Sequence, residues 1–313
     1  MQILVTGSIA YDTIMVFPDQ FKNHLLADQL HILNVCFLTP EMRREFGGTA
    51  GNIGYNLRLL GGEPLLMATV GEDIEPYFER LDRLGIGRQL LKRIRGQFTA
   101  QAFITTDLDD NQITAFHPGA MNDSHHNHVD GQLGAQLAIV APDGKQGMQQ
   151  HARECAEHGI PFVFDPGQGL PMFSAEELNE FLALADYVAV NDYEGKLLEE
   201  RTGRSLEALA GKVKALVQTL GAKGSVVYAG GKKHEIPSVK ADALVDPTGC
   251  GDAYRAGLLY GIANGWDWPS TGRLGAVMGA IKISHRGAQN HAPSREEIEA
   301  RYKDAFGFSP WSR

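Results

Sequence analysis

Residues 246–261 are DPTGCGDAYRAGLLYG, in which a carboxylate directly follows a Gly-x-Gly and precedes a run of small and apolar residues. The run has helical spacing, so the pattern predicts a glycine-lined turn that becomes a helix near Asp252. At a helix N-terminus the first N–H groups lack intrahelical acceptors and the dipole is positive, which stabilises an anion. Gly249 and Gly251 carry no side chain, so a phosphate can approach their amides.

The position of Asp252 suits a general base beside such an anion site. A carboxylate there can accept a proton from an attacking hydroxyl. Phosphoryl transfer needs little more than an aligned nucleophile, donors for the developing charge and a metal on the phosphates. Thr248 offers a hydroxyl donor or a cation ligand. A plainer interpretation also stands, in which Asp252 caps a helix and the glycines only form a turn.

Composition and charge exclude several function classes. The chain has 313 residues, 43% of them hydrophobic, and a formal net charge of −9, the wrong sign for a general nucleic-acid binder. No apolar run is long enough to span a membrane. The three cysteines are odd in number and far apart, which argues against a disulfide framework. We therefore expect a cytoplasmic protein with neither a nucleic-acid nor a membrane partner.

Elsewhere in the chain, short β-rich runs alternate with helical runs, which predicts βαβ units around a buried parallel sheet. Helices are expected at about 148–158, 175–185 and 206–220. Two stretches, about 13–46 and 97–117, are rich in aromatic and β-branched residues without helices, and the second predicts a hairpin. We expect a single α/β domain over residues 1–313, with these stretches as an inserted β-lid.

The opening stretch resembles the second signature of the ribokinase-like (PfkB) carbohydrate and nucleoside kinases, usually Asp-Thr-x-Gly-Ala-Gly-Asp. This chain differs at Pro247 and at Cys250, where a small residue remains. Residues 46–62, FGGTAGNIGYNLRLLGG, resemble the first signature, a glycine pair followed by an Asn that opens a helix. These motifs occur in family order over nearly the whole chain, which is therefore identified as a member of the family by resemblance.

The resemblance implies a three-layer α/β/α sandwich with a mainly parallel sheet of about nine strands and a β-lid over the sugar. It also implies ATP as phosphoryl donor and Mg²⁺ held mainly through water and phosphates near Glu194. K⁺ activation is implied too, through Asp246 and Thr248 with backbone from Lys282, His285 and Gly287. A homodimer is a further expectation, because lid-mediated dimers occur among similar proteins.

The same resemblance assigns the substrate sites. Asp12 in GSIAYD is expected to bind two sugar hydroxyls and Asn52 to bind others, while Gly47 and Gly48 let a ribose lie against backbone. The catalytic group is Asp252 with the amides of Gly249, Cys250 and Gly251. The nucleotide is assigned to NDYE and TLGAKGS, through Asn191, Glu194, Thr219, Gly221, Lys223 and Gly224. Lys223 can equally be a solvated loop charge. HRGAQNHAP, residues 285–293, is expected to close the adenine site.

The acceptor is less constrained. Ribokinases commonly carry Lys where this chain has Thr49. A phosphosugar kinase needs cations for the existing phosphate of its substrate, and Arg43 and Arg44 are candidates for that role. The lid phenylalanines offer faces on which a base can stack, or they simply pack the lid. The lid phenylalanines are Phe37, Phe46, Phe103 and Phe116.

Three stretches, residues 7–21, 116–124 and 164–171, are similar to the bacterial adenosine kinase and broad-specificity nucleoside kinase branch. That similarity implies that Phe103 and Phe116 contact a nucleoside and that Gln168 contacts a base edge. Cys36 stands where that branch often has a serine. We expect 5′-phosphorylation of nucleosides, adenosine foremost, with inosine, guanosine or cytidine as further acceptors. The alternatives are a sugar or phosphosugar kinase and a non-catalytic nucleoside-binding regulator, although a binder would not need Asp252.

Overall fold

The strands of the chain form two sheets, and helices cover the larger one. The computed structural model describes residues 2–25, 34–109 and 111–312. In chain order the strands are β1 (Gln2–Thr6), β2 (Ala10–Val16), β3 (Glu41–Gly47), β4 (Glu63–Val70), β5 (Leu90–Arg93), β6 (Ala100–Thr106), β7 (Gln112–His117), β8 (Leu137–Val140), β9 (Phe162–Phe164), β10 (Tyr187–Asn191), β11 (Ala215–Thr219), β12 (Ser225–Ala229) and β13 (Lys232–Ile236).

The helices are α1 (Thr49–Leu59), α2 (Glu75–Leu84), α3 (Lys145–Glu157), α4 (Ala175–Leu184), α5 (Asp192–Thr202), α6 (Leu206–Ala210), α7 (Cys250–Ala263), α8 (Trp268–Ile283) and α9 (Arg295–Phe306). Short 3₁₀ helices lie at Phe21–Asn23, Gly119–His126, Gly131–Leu133, Gly167–Met172, Gly221–Lys223 and Pro310–Ser312. Among the described residues, no helix combines the length and the apolar character needed to cross a membrane.

The larger sheet has nine strands in the order β13-β12-β11-β10-β9-β8-β1-β4-β5. Pairing is parallel from β11 to β5 and antiparallel only at β12 and β13. Successive residues of β1 face opposite sides, because Ile3 and Val5 pack in one buried cluster with α1, α7, α8 and α9, while Leu4 packs in the other with α3 to α6. The expected three-layer α/β/α sandwich is therefore confirmed.

The smaller sheet has the order β3-β2-β6-β7 and is formed by the two β-rich stretches. β2 follows β1 closely in the chain and pairs with both β3 and β6. β6 and β7 form the expected hairpin, whose turn is held by the Asp107 carboxylate, an acceptor for the amides of Asp109 and Asn111. Residues 26–33 of the first stretch and Asp110 of the turn lie outside the described residues. The role of this sheet as a lid stays a prediction.

The helix expected at 206–220 is wrong. The chain forms the short α6, turns at Gly211, and continues as the strand β11, in which Ala215, Leu216 and Val217 are buried. A short apolar run has the same composition in a buried strand as in a helix, so periodicity alone does not separate them. The correction matters for function, because β11 delivers Thr219 to the edge of the sheet.

The parallel strands bring their carboxyl ends to one edge, where open α/β sheets bind their ligands. Asp165 follows β9, Asn191 ends β10 and Thr219 ends β11. β1 leads at the same edge into β2, which carries Asp12. Four segments that are distant in sequence are thereby placed around the N-terminus of α7.

Candidate active site

The N-terminus of α7 is built on a glycine that no other residue could replace without strain. Gly249 caps the helix with φ 78°, and a Cβ atom there would lie 2.7 Å from the Cβ of Ala288. Gly251 is exposed, and a Cβ on it would meet only an Arg255 nitrogen at 3.8 Å, so space is open at this turn. The Cys250 amide already donates to the carbonyl of Pro247 at 3.1 Å. The expectation that this amide binds phosphate stays a prediction.

Asp252 lies in the first turn of α7 and accepts a hydrogen bond from Asn52 of α1. The Asn52 Nδ2 atom is 2.8 Å from Asp252 Oδ2. Burial raises the pKa of Asp252 to about 7, even though the bond from Asn52 favours the charged form, and the charges of Asp165 and Asp12 raise the pKa further. A carboxylate with this pKa is poised to accept a proton near neutral pH.

Asn52 is oriented by residues that sequence reasoning missed. The buried Gln289 donates from Nε2 to Asn52 Oδ1 at 3.0 Å and to the Tyr77 hydroxyl at 2.7 Å. Tyr77 in turn donates to the carbonyl of Gly47 at 2.8 Å. This chain of bonds fixes the rotamer of the Asn52 amide, whose Nδ2 then faces Asp252. Contact of Asn52 with a ribose stays a prediction.

Asp12 lies on β2 directly opposite Glu45 of β3, and the first glycine of the pair gives it room. A Cβ on Gly47 would lie 2.7 Å from Asp12 Oδ2, and one on Gly48, whose φ is 86°, would lie 2.5 Å from the Ser8 carbonyl. Burial raises the pKa of Asp12 to about 6, and the charges of Asp246 and Glu45 add to the effect. The glycine pair is thus required by the site itself, and its contact with a ribose stays a prediction.

The pairing of the smaller sheet separates the two phenylalanines that were expected to contact one nucleoside. Asp12 pairs with Ala102, which pairs with Phe116, so these three side chains share a face. Phe103 pairs instead with Ala115 and lies on the opposite face. Of the two rings only Phe116, which is exposed, shares the face of Asp12, and contact of either ring with a nucleoside stays a prediction.

The other lid candidates differ in exposure. Phe46 packs against Tyr77 with ring centres 5.0 Å apart, and Phe37 packs against Phe17 at 4.8 Å, so both rings have partners in the fold. Stacking of a base on either ring stays a prediction. Two further candidates for the base are exposed, Cys36 and Gln168.

A buried arginine lies one turn after Asp252. Arg255 donates from Nε and Nη2 to the two carboxylate oxygens of Asp165, both at 3.1 Å, and Nη2 lies 3.8 Å from Glu194 Oε2. All three side chains are buried. The signal for this cluster in the sequence is the single charge in the otherwise small and apolar run AYRAGLLYG. The guanidinium offsets two carboxylates that would otherwise be costly to bury.

A cavity of about 460 Å³ lies beside the N-terminus of α7. Three predicted nucleotide residues line it, Thr219, Gly221 and Gly224, together with Cys250 and Gly251. The rest of its wall is mostly small or apolar, which suits a flat ring with few polar contacts. That part of the wall includes Val239, Leu244, Ala276, Ala280 and Ile283.

Two parts of the chain that were expected to bind the nucleotide do not line this cavity among the described residues. Lys223 is exposed and is absent from the described lining, so its role stays a prediction. Residues 285–293 also do not line the cavity among the described residues, because Gln289 and His291 of this segment pack against α1. Gln289 of this segment supports Asn52, and closure of the adenine site by the segment stays a prediction.

The residues expected to bind K⁺ lie together in the fold, and hydrogen bonds within the protein link them to one another. The Asp246 carboxylate accepts the amides of Thr248 at 2.9 Å and Gly287 at 2.8 Å. Although burial opposes it, these bonds lower the pKa of Asp246 below its ordinary value. The ammonium of Lys282 also lies in this group of residues: Nζ donates to the carbonyls of Asp246 at 2.7 Å and His285 at 3.0 Å. The assignment of the Lys282 and Gly287 carbonyls as K⁺ ligands stays a prediction.

Comparison with known families agrees with this geometry. The chain matches the pfkB family carbohydrate kinase model over residues 12–295. The chain belongs to the pfkB family. It is therefore a phosphotransferase that uses an alcohol group as acceptor.

Relatives and solved structures refine the comparison. A nucleoside kinase of Methanocaldococcus jannaschii is 32% identical over 86% of this chain and 89% of its own length. The structure of Burkholderia thailandensis nucleoside kinase in complex with inosine is 52% identical, covers 98% of this chain and 99% of that chain, and superposes with a TM-score of 0.89. Its complex with ADP-inosine is 53% identical, covers 98% and 97%, and has a TM-score of 0.87.

A pfkB kinase is expected to use Mg²⁺, and Glu194 is the carboxylate expected to lie near the ion. Glu194 and Asn191 form a capping box at the start of α5, so both Glu194 oxygens already accept N–H bonds, at 2.7 and 2.8 Å. Carboxylate oxygens are ligands that Mg²⁺ prefers, and the ion usually keeps several of its waters. The Glu194 carboxylate therefore fits a nearby Mg²⁺, and contact with the ion through water stays a prediction.

Proposed function

We propose that this pfkB kinase transfers the γ-phosphoryl group of ATP to the 5′-hydroxyl of a nucleoside. The observation that carries the proposal is the hydrogen-bonded pair of Asn52 and Asp252 at the N-terminus of α7. Asp12 lies near enough for its charge to raise the pKa of Asp252. Cys250 and Gly251, which immediately precede Asp252, line the cavity that suits an adenine.

The mechanism follows from these positions. Asp12 and the remaining N–H of Asn52 hold the ribose hydroxyls, so that the 5′-hydroxyl is directed at Asp252. Asp252 takes the hydroxyl proton while the oxygen bonds to the γ-phosphorus and the bond to the β-phosphate oxygen breaks. N–H groups in the first turn of α7 stabilise the negative charge that develops. Mg²⁺, when bound with the nucleotide, neutralises charge on the phosphates.

The choice of a nucleoside rests on the relatives and on the smaller sheet. Relatives with the name nucleoside kinase cover most of the chain, and inosine is the ligand in one of their structures. Phe116 offers an exposed aromatic face on the side of Asp12, where a base can stack. We therefore propose adenosine and inosine as acceptors, with guanosine and cytidine as further candidates.

The phosphosugar alternative has weak support. Arg43 shares the face of Asp12, but its Nε lies 3.4 Å from the carboxylate of Glu45. Arg44 lies on the opposite face and donates to Gln101 at 2.8 Å. Each arginine thus already has a protein partner that competes with an existing phosphate for its guanidinium.

The test is ADP release from Mg-ATP across adenosine, inosine, guanosine, cytidine, ribose and fructose 6-phosphate. Each acceptor is run beside the Asp252→Asn variant, which serves as the background. We expect turnover with nucleosides and much slower turnover with both sugars. Turnover with a sugar alone would refute the nucleoside assignment. No turnover, together with a melting temperature that a nucleoside still raises, would favour a binding protein.

Compartment and assembly are part of the same proposal. Cys36, Cys155 and Cys250 are all free, which suits the reducing cytoplasm. A homodimer is supported by exposed apolar side chains on the smaller sheet, among them Phe103 and Ile113. Sedimentation velocity measures the assembly directly.

A further inference from the structure

The C-terminal end of α8 carries a buried lysine that the mechanism does not use. Lys282 has 0% of its surface exposed. Its Nζ donates to the carbonyl of Asp246, just before the turn that starts α7, and to the carbonyl of His285, just after α8. One ammonium group therefore ties together two segments that are 39 residues apart, from 246 to 285.

Asp246 connects the Lys282 ammonium to the turn that precedes Asp252. The carboxylate of this residue accepts the amides of Thr248 and Gly287, so its position fixes both the α7 turn and the segment after α8. Gly249, which caps α7, is the next residue after Thr248. Moving the Asp246 carbonyl would displace the amides that precede Asp252.

These residues do not fit a K⁺ ion in addition to the lysine. The Asp246 and His285 carbonyls, which would ligate the ion, already accept hydrogen bonds from Nζ. An ion on the same oxygens would place two positive charges a few ångströms apart, where like charges repel each other. Burial lowers the pKa of Lys282 below its ordinary value, and the charge of Asp246 offsets part of that effect.

We propose that the Lys282 ammonium takes the place of an activating monovalent cation, and that phosphoryl transfer by this kinase does not need K⁺. Lys282 is a positioning residue, because it holds the α7 turn through Asp246 and touches neither substrate. The proposal rests on the kinase activity, whose acceptor is tested separately. A melting-temperature readout, which needs no turnover, keeps the two tests distinguishable.

The first measurement uses the wild-type protein. Rates with the best acceptor and melting temperatures are compared in potassium, sodium and tetramethylammonium chloride at equal ionic strength, so that screening is constant. We expect both quantities to be the same in the three salts. A rate that rises several-fold in potassium alone would overturn the proposal whatever the variants do.

The second measurement removes the ammonium. Lys282→Ala should lower kcat roughly 10- to 100-fold in tetramethylammonium, since two charge-assisted bonds are lost. Potassium, ammonium or propylammonium, which can enter the vacated space, should restore most of the rate and raise the melting temperature. A general structural role for the side chain would not produce rescue by a cation.

Two variants serve as controls. In Lys282→Met the side chain fills the space without a charge, so activity should fall and cations should not restore it. Lys232→Ala, on the exposed strand β13, should behave as wild type in every salt. Rescue of Lys282→Met as complete as that of Lys282→Ala would contradict the proposal. So would a folded Lys282→Ala variant that keeps the wild-type rate without any small cation, or that no cation rescues.

Discussion

Replacing Asp252 with Asn is expected to lower kcat by roughly two or more orders of magnitude while nucleoside binding is retained. The amide has the shape of the carboxylate, and its oxygen can still accept the bond from Asn52 Nδ2. It cannot take the proton of the attacking hydroxyl. Steady-state kinetics give kcat, and calorimetric titration of nucleoside gives the dissociation constant. Asp304→Asn, on the exposed side of α9, is the matched control and should change neither.

The pH profile provides a second readout of the same prediction. Asp252 acts as a base only when ionised, and burial raises its pKa to about 7, so kcat/KM of the wild type should fall as the pH drops below about 7. Asp12 has a pKa raised to about 6 and lies near enough for its titration to be coupled to that of Asp252. The fall of kcat/KM at low pH therefore reports the two carboxylates together. Residual activity of Asp252→Asn should lack the limb near 7. A near-wild-type rate in that variant would refute the role of Asp252.

Replacing Arg255 with Met is expected to destabilise the protein by about 3–5 kcal/mol. The change leaves the Asp165 and Glu194 carboxylates buried without a positive partner. Urea denaturation followed by circular dichroism measures the free energy of unfolding. The two bonds to Asp165 hold the helix that carries Asp252, so kcat should fall in the folded fraction as well.

A surface ion pair provides a control for the buried pair of Arg255 and Asp165. Arg153 makes a similar two-bonded pair with Glu180, but both side chains are about half exposed, at 50% and 41%. Arg153→Met should therefore cost less than about 1 kcal/mol. Adding Asp165→Asn to Arg255→Met should recover part of the lost stability, since one buried charge is removed with its partner. Equal effects of the two arginine variants would show that burial does not govern the pair.

Much of the fold could be predicted because it depends on local pattern. Short β-branched runs that alternate with amphipathic helices specified the parallel sheet, and the hairpin of β6 and β7 has a turn rich in Asp and Asn. The strand within 206–220 could not be predicted, because an apolar strand between two short connections has no helical or alternating period of its own. Only burial between β10 and β12 distinguishes it.

The part of the site that lies in one short segment could be predicted from the sequence, and the part that folding brings together could not. Gly249 and Asp252 belong to one short segment, and the helix N-terminus between them follows from sequence. The Gln289–Asn52 bond joins residues that are 237 positions apart, and the Lys282 ammonium acts on carbonyls that are brought together only by folding. The opposite faces of Phe103 and Phe116 follow from strand pairing, which the sequence does not specify without a register.

The most direct test of the central claim is the identity of the product formed from inosine and Mg-ATP, measured by phosphorus NMR with proton coupling. Transfer to the 5′-hydroxyl predicts a phosphomonoester resonance split by the two protons of the 5′-carbon, formed by the wild type and absent with Asp252→Asn. A resonance split by a single proton, as a 2′- or 3′-phosphate gives, would contradict the placement of the ribose against Asp12 and Asp252. Release of inorganic phosphate alone would contradict transfer to a nucleoside.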